Sequence, residues 1–131
     1  MRMNGSYLLD TNIIIALFAN DSGVHRQLSA ISQIFIPSIV LGELYYGASK
    51  SAHSKSNIAK IDNFALKSAV LVCDTDTARH YGRIKDHLRT KGTPIPENDI
   101  WIAALAKQYQ LTLVSRDQHF RGIKEIKVEQ W

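Results

Sequence analysis

Short apolar runs, each ending in polar or turn-forming residues and followed by a segment of helical spacing, recur along the whole chain. This pattern restricts it to an alternating strand–helix architecture. Tyr7-Leu8-Leu9 ends at Asp10, Ile34-Phe35-Ile36 at Pro37, Ala69-Val70-Leu71-Val72-Cys73 at Asp74, and Leu111-Thr112-Leu113-Val114 at Ser115. A final strand is expected near Ile126. Runs that stay apolar on both faces belong in a parallel sheet covered by helices on both sides. Pro37 lacks the N–H that a central strand would use, so the second run must stop there.

Between the runs, Asp10-Thr11-Asn12 offers caps for a helix over Ile13 to Phe18, and a polar helix through Leu28 and Ile31 follows Asn20-Asp21-Ser22-Gly23. Ser38 is expected to cap a helix to about Ser49. Ile58, Ile61, Phe64 and Ala65 give residues 54–66 a helical stripe. Asp74-Thr75-Asp76, with Asp76 as the cap, precedes a helix whose stripe is Ala78, Tyr81, Ile84 and Leu88. Lys91 to Pro96 is a loop, because two prolines and a glycine cannot extend a helix. A last helix is expected from about Glu97 to Tyr109. No repeat or low-complexity tract divides the sequence, and 131 residues suit one domain over 1–131.

Hydrophobic residues make up 45% and charged residues 21%, the balance of a globular chain rather than a disordered one. No apolar run approaches the roughly 20 residues of a membrane span. The N-terminus lacks the ordered segments of a signal peptide, so the cytoplasm is the expected compartment and no membrane partner is expected. Cys73, the single cysteine, is expected to be a buried core thiol.

Four carboxylates, Asp10, Glu43, Asp99 and Asp117, lie at strand C-terminal ends or near helix starts. Those points share one rim of a parallel sheet, where such folds place their ligands. Asp10 and Asp117 could each be a plain helix cap, and Asp99 a first-turn acid favoured by the helix dipole. Glu43 is harder to explain locally: Ile39, Val40, Tyr46 and Gly47 are its helical neighbours, and a lone carboxylate there pays a desolvation cost unless paired or metal-bound. Gly42 and Gly47 weaken that helix and suggest a close approach by another group. Thr11, Asn12 and Ser115 stand beside these acids and could hold water or a phosphate oxygen, and Glu97 is a further acid at the rim. His119 is expected to pack or cap locally rather than bind metal.

Gathered carboxylates repel unless a cation lies between them. An all-oxygen set favours Mg²⁺, with Mn²⁺ as a substitute, over zinc. No H-E-x-x-H, Cys-x-x-Cys or Gly-rich phosphate loop is present, nor a serine or cysteine nucleophile constellation. Hydrolysis of a phosphodiester by metal-activated water is the simplest chemistry. The net charge of +4 comes from 16 basic and 12 acidic residues; setting the four rim acids aside leaves 8 against 16, a basic body suited to a polyanion. Arg79, Arg83, Lys85, Arg89 and Lys91 could track nucleic acid or simply solvate a helix; Arg116 and Arg121 flank Asp117. Tyr45, Tyr46 and Trp101 could stack on bases, though core packing is their ordinary role.

Four blocks carry a family resemblance over nearly the whole chain: Leu8-Leu9-Asp10-Thr11-Asn12; Pro37-Ser38 through Glu43-Leu44 and Gly47; Asn98-Asp99-Ile100-Trp101-Ile102-Ala103-Ala104; and Ser115-Arg116-Asp117 with His119-Phe120. In order and interval they resemble the PIN-domain family, in particular its small VapC-like toxin ribonucleases. The resemblance implies a three-layer α/β/α sandwich on a parallel sheet of about five strands and an endoribonuclease dependent on Mg²⁺ or Mn²⁺. It assigns metal-site roles to Asp10, Glu43, Asp99 and Asp117, with Thr11 and Ser115 as polar helpers. It further implies the toxin half of a type II toxin–antitoxin module, a homodimer, inhibited by a cognate antitoxin that inserts a C-terminal segment into the acidic site. Ser115 stands where threonine is common, and Glu97 is an additional acid. The competing readings are a receiver-like phospho-acceptor module built on Asp74, and a PIN fold kept only for binding a partner.

Overall fold

The apolar runs become five strands, β1 (Ser6–Leu9), β2 (Gln33–Pro37), β3 (Ala69–Leu71), β4 (Thr112–Val114) and β5 (Lys127–Glu129). They form one sheet in the order β3-β2-β1-β4-β5 with every neighbouring pair parallel. The computed structural model describes residues 5–31 and 33–131. Six helices connect the strands: α1 (Thr11–Phe18), α2 (Ser22–Ser29), α3 (Ser38–Ser49), α4 (Ser54–Leu66), α5 (Thr75–Lys91) and α6 (Glu97–Tyr109). A 3₁₀ turn occupies Gln118–Gly122.

The strand order fixes the layers. From β1 through β2 to β3 the chain moves one way across the sheet; from β3 it returns past β1 to β4 and β5. Right-handed crossovers therefore place α1 to α4 on one face and α5 with α6 on the other. Packing follows that division, with α1 against α2 and α3, α3 against α4, and α5 against α6. The result is the expected α/β/α sandwich. The reversal lies between β1 and β4, paired Leu8 to Leu113 and Leu9 to Val114, and such a switch point opens a crevice at the strands' carboxyl ends. A receiver-like module has the order 2-1-3-4-5 instead.

Leu8, Leu9, Ile36, Leu113 and Val114 are buried from the strands, joined by Ile13, Ile14, Val40, Ile84, Ile102, Leu105 and Phe120 from the covering layers. Central strands are thus apolar on both sides, but β3 is an edge. It stops at Leu71, and Val70, Val72 and Cys73 are exposed. The expectation of a buried thiol at Cys73 fails because an apolar run at a sheet's edge has a neighbour on one side only.

Local corrections are small. Pro37 occupies the cap position of α3, and Ser38 is its first residue. Asp74, not Asp76, caps α5: its carboxylate accepts from the Thr77 N–H at 3.0 Å while the Thr77 hydroxyl accepts from the Asp74 N–H at 2.9 Å. The buried stripe of α5 accordingly runs through Thr77, Ile84 and Leu88, with Ala78 exposed. Gly92 ends that helix at φ 72°, a left-handed conformation that suits glycine. Gly42 and Gly47 face open space: a Cβ added at either would meet nothing within 4 Å, so neither marks a close approach within the described residues.

Candidate active site

At the switch point the backbone delivers acids from four elements. Asp10 ends β1 and caps α1, its carboxylate accepting from the Thr11 N–H at 2.9 Å. Glu43 comes from the second turn of α3, Asp99 from the first turn of α6, and Asp117 caps the 3₁₀ turn after β4 through the His119 N–H at 2.9 Å. The cap explanation for Asp10 and Asp117 is therefore correct but incomplete, because Asp10 also accepts from Ser115 far along the chain, and Asp117 has a carboxylate oxygen within 4.8 Å of one from Asp99.

Those contacts form two short relays. Ser115, only 2% exposed, donates its hydroxyl to Asp10 Oδ2 at 2.7 Å and accepts the Asp117 N–H at 2.9 Å. Thr11 donates to Glu43 Oε1 at 2.6 Å. Asn12 accepts the Arg116 N–H at 3.1 Å and places its amide nitrogen 3.5 Å from both Asp10 Oδ2 and Ser115 Oγ. These three residues hold the acids in place.

His119 forms a tight group with Asp99 and Asp117, from which Asp10 and Glu43 stand apart. Its Nδ1 lies 3.0 Å from Asp99 Oδ2 and 3.0 Å from Asp117 Oδ1, and one ligand atom from each of Asp99, Asp117 and His119 falls within 4.8 Å of the others. A purely local packing role for His119 does not account for these contacts. A histidine two positions beyond a rim acid is the signal available in the sequence, but nothing there shows that the 3₁₀ turn aims its ring at α6.

Two expected helpers belong elsewhere. The Glu97 carboxylate accepts from the Tyr81 hydroxyl and from Lys85 Nζ at 3.0 Å, tying α6 to α5. The Arg116 guanidinium bonds Asp21 Oδ2 at 3.0 Å and the main-chain oxygen of Trp131 at 2.8 Å, so it staples the chain rather than facing the crevice. Four basic residues of α5 are also engaged, Arg79 with Asp76, Arg89 with Asp86, Lys85 with Glu97, and Lys91 with the Gly122 carbonyl, whereas Arg83 has no such partner among the described residues. Trp101 stacks on Tyr81 with ring centroids 4.1 Å apart, a packing role.

Electrostatics record the crowding. Burial lifts the Asp99 carboxyl to about 6, with the charges of Asp10 and Asp117 adding to the rise and the His119 hydrogen bond opposing it. Asp10 is also raised, first by burial and then by Glu43 and Asp117, against the bonds from Ser115 and Thr11. A divalent cation placed among such carboxyls would offset their burial and mutual repulsion and favour the ionised form. Oxygen donors with one imidazole fit such an ion.

Fold and cluster together define an α/β protein with an acidic, metal-competent crevice at the reversal of a parallel sheet. The PIN domain family model matches residues 7–126, and the chain belongs to that family. It is 37% identical over 133 residues to Ribonuclease VapC2 of Haemophilus influenzae, covering 95% of this chain and 97% of that relative. It is 36% identical over 128 residues to the tRNA(fMet)-specific endonuclease VapC of Salmonella typhimurium, with the same coverage. Among solved structures, a chain of DNA-bound VapBC from Salmonella typhimurium superposes with a TM-score of 0.89 at 34% identity, covering 97% of this chain and 98% of that one. No helix of the described residues is long and apolar enough to cross a membrane.

Proposed function

We propose that this chain is a divalent-metal-dependent endoribonuclease, one PIN nuclease domain over residues 1–131, acting as the toxin of a type II toxin–antitoxin module. The observation that carries the reading is the convergence of Asp10, Asp99 and Asp117 at the β1/β4 crevice, with Asp99 lifted to about 6 by burial beside the others. Its curated relatives are named ribonucleases and a tRNA endonuclease, and solved neighbours are toxin–antitoxin complexes. Mg²⁺ is the proposed ion, with Mn²⁺ able to replace it. RNA is the substrate, a cognate antitoxin the protein partner, a homodimer the assembly and the cytoplasm the compartment.

Asp10, Glu43, Asp99 and Asp117 would hold the ion. Bound there, it supplies Lewis acidity to the scissile phosphate and to the water that attacks it. The protein's own part is placement. Ser115 fixes Asp10 and the Asp117 amide with one hydroxyl, so the ends of β1 and β4 move as a unit. Thr11 engages Glu43 Oε1 and leaves Oε2 without a protein partner among the described residues, available to accept a proton or orient water. The carboxylates repel a phosphate until they are neutralised, so the cation binds before the substrate or with it.

Asp10→Asn and Asp99→Asn test the assignment. Each should reduce cleavage of total cellular RNA at least about a hundredfold and relieve growth arrest on expression, while circular dichroism stays that of the parent. Undiminished cleavage in either variant rejects these metal-site roles. A parent protein that binds RNA or antitoxin without cutting would favour the binding-only alternative.

A further inference from the structure

We propose that His119 is itself a ligand of the cation, through Nδ1, and that this nitrogen biases the site toward Mn²⁺ over Mg²⁺. The inference rests on the metal-dependent reading above and adds a ligand that an all-carboxylate site lacks. Its basis is geometric. The ring is held by a rigid turn: Phe120, the next residue, is fully buried, and the His119 N–H is fixed to Asp117 Oδ1 at 2.9 Å. From that anchor Nδ1 reaches Asp99 on α6 and Asp117 on its own turn at 3.0 Å each.

Ligands about 2.1 Å from a central ion in an octahedron lie about 3.0 Å apart along its edges. Both separations match such an edge, and all three donor atoms fall within 4.8 Å of one another. The same distance suits a hydrogen bond, so one side chain serves two states. With its proton on Nδ1 the ring donates to Asp99 Oδ2 in the metal-free protein, with Asp117 Oδ1 close beside it. With its proton on Nε2 instead, Nδ1 of this half-exposed side chain offers a lone pair into the cluster.

Selectivity follows from donor chemistry. Mg²⁺ is hard, keeps water and gains little by exchanging an oxygen ligand for imidazole. Mn²⁺, a first-row transition ion, accepts nitrogen more readily. Of the other histidines, His87 is engaged by Glu125 at a surface ion pair, and His25, His53 and His80 are absent from the cluster.

The test is pulsed electron paramagnetic resonance of the metal-stripped full chain loaded with Mn²⁺, with ¹⁵N confined to histidine, beside calorimetric titrations with Mn²⁺ and Mg²⁺. The parent should show a directly bound histidine nitrogen. His119→Gln should lose that coupling and weaken Mn²⁺ binding roughly tenfold while leaving Mg²⁺ within about twofold. Mn²⁺ bound without nitrogen coupling in the parent overturns the inference yet leaves the metal site standing, and this measurement needs no variant to fold. Absence of saturable Mn²⁺ binding, or binding that survives Asp99→Asn unchanged, overturns the site itself.

Discussion

Asp10 does two jobs with one carboxylate, and two substitutions separate them. Asparagine caps a helix about as well as aspartate, whereas alanine loses about 1 kcal/mol. Asp10→Asn should therefore leave the metal-free fold as stable as the parent or more so, and Asp10→Ala should be less stable than Asp10→Asn by about that amount in urea unfolding. Asp99 carries a pH signature. Its folded carboxyl titrates at about 6 against 3.8 for the unconstrained group, so the folded chain binds the proton more tightly. Without metal, stability contributed by this group is present below about pH 4 and lost as pH rises through 6, on the order of 3 kcal/mol. Asp21, Asp74 and Glu97, whose carboxyls are held below their usual range by hydrogen bonds, act in the opposite sense but at lower pH. Unfolding free energy of the stripped protein should thus decline between about pH 4 and 7, and Asp99→Asn should flatten that decline.

Elements are more legible in the sequence than sites. The apolar runs announce β1, β2 and β4 because burial on both faces leaves no alternation to misread, and Gly92 and the prolines mark the end of α5 unambiguously. Cys73 misleads because a run of residues cannot report whether its strand lies inside the sheet or at the edge. Within the cluster only Glu43 lacks a local purpose in the sequence; Asp10, Asp99 and Asp117 each pass as a cap or first-turn acid, and their placement at one rim is what groups them. Glu97 and Arg116 point elsewhere, and His119 points inward, because side-chain direction is set by packing between α5 and α6 and by the turn after β4. One element boundary offers a clean check on the local physics. Gln110 ends α6 in the left-handed region at φ 54°, an unfavourable conformation for a residue with a Cβ. Gln110→Gly should raise stability by about 0.5–1 kcal/mol in urea unfolding, with RNA cleavage unchanged.

For the whole molecule, the strand reversal between β1 and β4 is what converts scattered acids into one site: it brings residue 10 beside residues 115 and 117 and leaves room for α6 to present residue 99. A cation bound there adds a link between layers that already meet where α3 touches α6 and where His119 reaches Asp99. Saturating Mg²⁺ or Mn²⁺, at about a hundred times its dissociation constant, should stabilise the folded chain by about 2.7 kcal/mol, read as a rise in thermal midpoint that Asp99→Asn abolishes. Cleavage of RNA by EDTA-stripped protein during a titration with Mg²⁺ bears on the account most directly. No cutting at the start and saturable recovery as the ion is added is the predicted course; full cutting in the continued presence of the chelator would contradict it.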